Sequence, residues 1–407
     1  MTGTGTIDLT DLDLFETERH HEAFDWLRAN DPVHWNPTPD GSGFWALTRY
    51  DDLVTAYREH STFSSAGGAV LGGSIGGAGD SATGLMLVAS DPPRQRQLRQ
   101  VLHQAFTAPV LDAIAERVAE LVDRAIDTTL TDGGCDFAVD VAPELPAGAL
   151  MAMMSLTHDE ARHLVDLTRR MIGFNDPLVV GGSGHDRLGL AETQAEIFDF
   201  FADLLPDRRY ADGRGLLGML LRAKVNGHPL SEEEILYNCM NVAVGGNETS
   251  SYTACAGLRA LIEHPEQWEL LRRSAVTPTT AINEMLRWAS TNAYVQRVAK
   301  HDFTFGATTI RAGDAVTLWN VSANRDEARF PEPHRFDLTR TSNRHLSYGS
   351  GIHRCIGAQV AHAELSSLFG RLIRDEVRFE FAGEVRRLRS NFILGMTRLP
   401  ITVAGRR

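Results

Sequence analysis

The sequence predicts a mainly α-helical protein with small β-sheets, and three observations carry that prediction. From Pro93 to the Glu284 region apolar residues recur every three or four positions, the period of helices that bury one face. Within that region Ser231-Glu232-Glu233-Glu234 reads as a capping box, with a serine to cap and a glutamate three residues on to reach back. It opens an unusually long apolar segment. After Ala289 the texture changes to alternation, from Phe303 to Leu318, as expected of half-buried strands.

Taken in order, the chain starts with a short arm, followed by a strand around Gly43 to Thr48 with Phe44 and Trp45 as apolar anchors. Ala66 to Gly84 is rich in Gly and Ser and predicts a mobile loop, either plain surface or a lid over a site. Helices are predicted over Arg94 to Phe106, Pro109 to Thr131, Pro143 to Met154, His158 to Ile172, Leu190 to Leu205 and Leu216 to Lys224. The capping box starts a helix over about residues 231–264, roughly 50 Å long at about 1.5 Å per residue, which must cross the molecular centre. Pro265 to Arg273 and Pro278 to Ala289 are two further helices, and Ala312-Gly313-Asp314 is a turn between strands. A helix over Gln359 to Ile373 precedes a terminal strand pair, Val377 to Phe381 and Leu399 to Val403. With no internal repeat or low-complexity linker, residues 1–407 are expected to form one domain.

Composition narrows the function. The 407 residues are 43% hydrophobic, ample for a buried core, and carry a net charge of −13, which argues against a general nucleic-acid binder. Met1 to His20 is acidic and polar, so no signal peptide is expected, and no segment is expected to approach a membrane span. The cysteines Cys135, Cys239, Cys255 and Cys355 form no CxxC pair, so neither a zinc site nor a disulfide framework is indicated. A cytoplasmic protein without membrane or nucleic-acid partners is expected.

The run Ser347-Tyr348-Gly349-Ser350-Gly351-Ile352-His353-Arg354-Cys355-Ile356-Gly357 places one cysteine in a glycine-punctuated loop just before a helix. The positive end of that helix and nearby amides favour a thiolate, and the glycines allow close approach to a flat partner. An axial haem ligand is one reading. A phosphate loop lacks its Lys-Ser/Thr pair, and a buried structural cysteine is the third possibility.

In the long helix, Val244-Gly245-Gly246-Asn247-Glu248-Thr249-Ser250 sets two adjacent glycines, costing about 1 kcal/mol each relative to alanine, beside an acid and a hydroxyl. Either something approaches the backbone there, or a neighbouring helix packs closely. Glu284 and Arg287, three apart, share a helix face. An irregular stretch follows, Asn324-Arg325-Asp326, Phe330-Pro331 and Pro333-His334-Arg335-Phe336-Asp337, from which Arg335 can reach that pair.

These four features, in this order from about Pro32 to Pro400, resemble the cytochrome P-450 monooxygenases, in particular their soluble bacterial branch that tailors natural products. The resemblance implies a cytochrome P-450 fold with the long helix over haem, and haem b and O2 as cofactor and co-substrate. It implies Cys355 as the thiolate ligand of the iron, with His353, Arg99, Arg297 and Gln95 toward the haem propionates. Tyr348 and Gly349 would shape the loop and Gly357 would let the next helix lie against the porphyrin. Gly245 and Gly246 would border the oxygen pocket, Glu248 and Thr249 would manage proton delivery, and Glu284, Arg287 and Arg335 would form a structural triad. Asn241, Ala243, Asn292, Tyr294, Val295, Phe392 and Ile393 would line the substrate site.

Three positions depart from the family pattern. Tyr348 replaces the usual phenylalanine and needs a partner for its hydroxyl. Gln95 replaces a histidine, and Ser290-Thr291-Asn292 lacks the usual proline, so Asn292 and Tyr294 offer polar substrate contacts. The expected reaction inserts one oxygen atom of O2 into a small organic substrate, a bacterial secondary metabolite or its carrier-protein-tethered precursor. Electrons would come from NAD(P)H through a ferredoxin and its reductase, docking near Arg354, Arg94 and Arg96. An acyl or peptidyl carrier protein is a further expected partner. A peroxide-driven peroxygenase or oxidative coupling enzyme, and a non-catalytic haem sensor, are the alternatives. The Glu248-Thr249 pair counts against the first.

Overall fold

The computed structural model describes residues 7–39, 41–71, 81–180 and 187–405. Within the loop expected over Ala66 to Gly84, residues 72–80 lie outside this description, as do residues 181–186.

Local chemistry sets the helix ends. Ser231 caps the long helix Glu232–Glu263, its hydroxyl 3.2 Å from the Glu234 amide while Glu234 Oε2 accepts from the Ser231 amide at 2.8 Å. Thr157 and Glu160 repeat the motif at the start of His158–Ile172. Pro278–Ala289 is capped by Thr277 and ends at Ser290, which takes a left-handed conformation with φ +43°. The long helix crosses the interior, packed against His158–Ile172, Glu144–Met154 and Pro278–Ala289. Its one close-packing glycine is Gly257, where a Cβ would stand 3.0 Å from Phe369 Cζ and 3.1 Å from Met285 Sδ.

The largest sheet joins distant segments in the order Val33–Pro37, Gly43–Leu47, Ala315–Trp319, Tyr294–Ala299, Phe63–Ser64. Ala315–Trp319 runs parallel to Gly43–Leu47 and antiparallel to Tyr294–Ala299. Phe303–Phe305 and Thr308–Ile310 make the expected hairpin, and Arg378–Phe381 pairs with Pro400–Gly405 at the C-terminus. A third strand, Gly134–Asp136, was not anticipated; it joins Pro400–Gly405.

Two expectations change. The N-terminal region holds the helices His20–Asn30 and Tyr50–Arg58 where only an arm and a strand were foreseen. The 18-residue window Phe137–Met154 does reach the length and hydropathy of a membrane span, with a mean hydropathy of 1.3. It is split between the helices Phe137–Asp140 and Glu144–Met154, and 72% of it is buried inside the protein, so it serves as core.

Candidate active site

One cavity of about 730 Å³ brings the cysteine loop and the glycine turn of the long helix together. Cys355 is the one cysteine of the four on its wall; Cys239 and Cys255 are buried in the core, where burial pushes their thiols far up. The Cys355 side chain is exposed on the cavity wall, with protein packed around the rest of it. That enclosure raises its thiol pKa, while the Gly357 amide and the guanidinium groups of Arg354 and Arg99 act in the opposite sense. The amide of Cys355 donates to Tyr348 O at 2.8 Å, closing the loop beneath it.

Glycine shapes this loop at two positions. Gly349 and Gly351 adopt φ +62° and +69°, and a Cβ at Gly351 would fall 2.4 Å from the Tyr57 carbonyl oxygen. Gly357 instead faces open space, its nearest protein neighbour in that direction being Phe106 Cε1 at 3.8 Å. The Tyr348 hydroxyl finds its partner in Ala358 O at 3.4 Å, a long hydrogen bond, and its ring lies between His345 and His362.

Around the sulfur stands a set of donors without anionic partners. Arg297 is buried, donates to Gln296 O at 2.6 Å and rests over the Tyr57 ring; Arg99 donates to Arg354 O at 2.8 Å. Neither makes an ion pair among the described residues, and both line the cavity. His353 lines it too, with Nε2 buried and unpartnered, and burial followed by Arg297 pushes its pKa down to about 3. Two uncompensated guanidinium groups and an orphaned ring nitrogen beside a cysteine call for an anionic ligand. A flat macrocycle bearing two carboxylates, such as haem, matches this donor set and the open faces at Gly357 and Gly245–Gly246.

Those helix glycines settle one open question. A Cβ at Gly246 would meet nothing within 4 Å, and at Gly245 only Asn241 Nδ2 at 3.9 Å, so no neighbouring helix packs on them. They keep the wall of the cavity low. Thr249, one turn on, lines the same wall, its hydroxyl donating to Gly245 O at 2.9 Å. Glu248 does not. It is fully buried on another side of the helix, with Oε2 3.2 Å from Arg169 Nε and Oε1 without a partner.

Asn241, Asn292, Tyr294, Val295, Phe392 and Ile393 all line the cavity as expected. Ala243 does not: two residues from Asn241 on a helix it points about 200° away, into the core, where it is fully buried. Tyr294 gives less polarity than foreseen, because its hydroxyl already accepts from the Leu71 amide at 3.2 Å and its ring packs on Trp319 and Phe392. Gln95 is also displaced from its expected place. It is buried off the cavity wall and donates to Ile352 O at 2.8 Å, fastening the cysteine loop.

The structural triad needs one replacement. Glu284 and Arg287 pair through two hydrogen bonds of 2.7 and 2.8 Å, fully buried. Arg287 also donates to the carbonyls of Asn324, Pro333 and Arg335. The Arg335 side chain is exposed and turns to Glu332; Arg340 supplies the third cation, its Nε 3.2 Å from Glu284 Oε2. Arg94, offered as a docking residue, is engaged with Glu234 and Gly84 O, whereas Arg96 is exposed.

Two site residues escaped the sequence reading. Tyr57 backs Gly349 and Gly351, holds Arg297 under its ring and donates to Asn320 Oδ1 at 2.7 Å. The apolar spacing of Leu53, Ala56 and Tyr57 was the available signal. Glu364, on Ala358–Arg374, reaches the cavity wall as a buried carboxyl; burial lifts its pKa to about 8 against a hydrogen bond from Ser250.

The family model described as cytochrome P-450 matches residues 191–274 and 278–401. Over 400 residues the chain is 33% identical to cytochrome P-450 NovI of Streptomyces niveus, covering 98% of this chain and 97% of the relative. It is likewise 33% identical to linalool 8-monooxygenase of Pseudomonas putida, with 97% and 98% coverage. Among solved structures, a cytochrome P-450 of Mycobacterium marinum in complex with pseudoionone superposes with a TM-score of 0.87 at 30% identity, covering 99% of each chain. OxyD, involved in the biosynthesis of vancomycin-type antibiotics, gives 0.87 at 29% identity, covering 98% of this chain and 100% of OxyD.

Proposed function

The chain belongs to the cytochrome P-450 family, oxidoreductases that incorporate molecular oxygen, and on that premise we propose that Cys355 and Thr249 are the two working poles of a haem-thiolate monooxygenase site. The observation that carries the assignment is their meeting in one cavity: a single cysteine on one wall, an open glycine turn and a hydroxyl on another. Haem, when bound, supplies oxygen activation, and thiolate ligation favours cleavage of the O–O bond.

The protein's own groups do the rest. Cys355 would hold the iron through its sulfur, where the Gly357 amide with Arg354 and Arg99 stabilises negative charge. Arg297, Arg99 and His353 would receive the two carboxylates of the bound haem. Thr249 Oγ1 passes a proton toward the cavity, and its bond to Gly245 O keeps the hydroxyl poised on that wall. Glu248 supplies Thr249 by swinging around the helix, giving up its ion pair with Arg169 as it does so.

The substrate is read as a small organic molecule of bacterial secondary metabolism, which the likeness to OxyD supports. The cofactor is read as haem b, with electrons from NAD(P)H through a ferredoxin and its reductase, in the cytoplasm. Reduction under carbon monoxide tests the core of the proposal. Haem-loaded wild-type protein is expected to give the strongly red-shifted absorption of sulfur-ligated haem, and Cys355→Ala to lose it. A wild-type spectrum without that band would refute the assignment.

A further inference from the structure

The charged groups of the cavity sit together. Arg99, Arg297, Arg354, His353 and Glu364 belong to the cysteine loop, to the helix that follows it or to side chains packed against them. The other described walls carry no Asp, Glu, Lys, Arg or His. They comprise parts of the long helix, Thr291–Val295, Ser390–Ile393, Met171–Asn175 and the segments around Leu71 and Met86. An ion placed there would lose its water and gain no counter-charge.

Most polar atoms on these walls are already engaged. Tyr294 serves Leu71, Thr249 serves Gly245, Thr253 bonds Thr249 O and the Thr291 hydroxyl, and Asn391 Nδ2 donates to Leu9 O. Asn241 differs. Its Oδ1 accepts from the Val88 amide at 3.4 Å, and because a backbone N–H can only donate, this contact orients the carboxamide. Nδ2 therefore lies over Gly245, 3.9 Å from where a Cβ would stand, facing the cavity with no protein acceptor.

We propose that Asn241 is a specificity-determining donor of this site, the one aligned with Thr249 along the long helix: the substrate portion the site encloses is uncharged and offers a carbonyl or ether oxygen to Asn241 Nδ2. The assignment rests on the monooxygenase reading, which places the reacting carbon beside Thr249. Gly245 and Thr249 are one turn apart, so the Asn241 donor over Gly245 lies roughly 6 Å from the level of Thr249 along the helix. The site thus selects by polarity at one end and by reach at the other.

Spectral titration of the haem-loaded protein tests this, using 2-alkanones of eight to sixteen carbons, alkanes of matched length and the matching carboxylates. Ketones are expected to shift the ferric absorption band in wild type, with carboxylates at least about tenfold weaker. Asn241→Leu should weaken ketones about three- to tenfold and leave alkanes within about twofold. Asn241→Asp keeps an acceptor for the Val88 amide, so an equal loss of ketone affinity there excludes simple loosening of the Val88 segment. Equal losses for ketone and alkane in the leucine variant, carboxylates binding as well as ketones, or no response from any ketone would overturn the assignment. The carbon monoxide spectrum of the same samples separates the failures: with the sulfur-ligated band present only the role of Asn241 falls, and without it the reading beneath falls too.

Discussion

Thr249 and Glu248 are neighbours in sequence, yet only the threonine faces the cavity, while the glutamate lies buried 3.2 Å from Arg169. A helix turns about 100° per residue, which here carries the acid off the wall that the alcohol lines. In the proposed reading the pair forms a relay around the helix, with the acid held away from the cavity in this structure.

The relay makes the hydroxyl test direct. Thr249→Ala should lower product formed per NADPH consumed by about tenfold or more. That is modest beside the ~10²–10⁴ of general acid–base catalysis, because water can stand in for the missing hydroxyl. Thr249→Ser should retain most coupling. Parallel measurement of NADPH consumption, peroxide and product decides it; unchanged coupling in the alanine variant removes Thr249 from proton transfer.

Glu248 has a structural cost as well. Glu248→Gln strands Arg169 beside a neutral group and should lose about 3 kcal/mol of stability. Adding Arg169→Met should recover most of that loss. Urea unfolding of the haem-loaded single and double variants provides the comparison.

Arg335 and Arg340 should behave oppositely. Arg335→Ala removes an exposed side chain and is expected to stay within about 0.5 kcal/mol of wild type. Arg340→Ala leaves buried Glu284 short of a cation and should cost about 3 kcal/mol. Thermal or urea denaturation distinguishes the two, and equal effects would reinstate Arg335.

Glu364 predicts a pH signature. Its folded pKa, about 8, lies above the ordinary 4.5, so folding favours the neutral acid. That contribution is fully present below about pH 4.5 and is lost as pH climbs to about 8, at no more than about 1.4 kcal/mol per pH unit. Glu364→Gln cannot titrate. Its stability relative to wild type should therefore rise across this window and level off above it, and a pH-independent difference would contradict a buried neutral carboxyl.

Arg297 should matter for cofactor retention. Arg297→Leu removes a buried, unpaired cation from the cavity wall, and haem affinity is expected to fall by about tenfold, the worth of one charge-assisted hydrogen bond. Transfer of haem to apomyoglobin measures it without any turnover.

Much of this architecture was legible beforehand because its signals are local. Apolar spacing marked His158–Ile172 to the residue, the Ser231 capping box marked the start of the long helix, and the loop with its glycines singled out Cys355. What stayed hidden depends on side-chain direction. Arg335 and Arg340 lie in one irregular stretch, where no period says which of them turns inward. Ala243 and Gln95 sit in the right segments on the wrong faces. Tyr294–Ala299 pairs with strands far away in sequence, so its identity as a strand is a tertiary fact. Tyr57 was missed with its helix, since nothing nearby in sequence connects it to the cysteine.

Position 351 tolerates nothing larger than hydrogen, because Tyr57, from the opposite end of the chain, already occupies the space a side chain would need. The cysteine loop must therefore dock onto a helix nearly three hundred residues before it in sequence for the sulfur to be correctly aimed. Correct seating of the loop thus depends on the helix Tyr50–Arg58, and deleting the segment that holds this helix should abolish thiolate ligation even where the helical core survives.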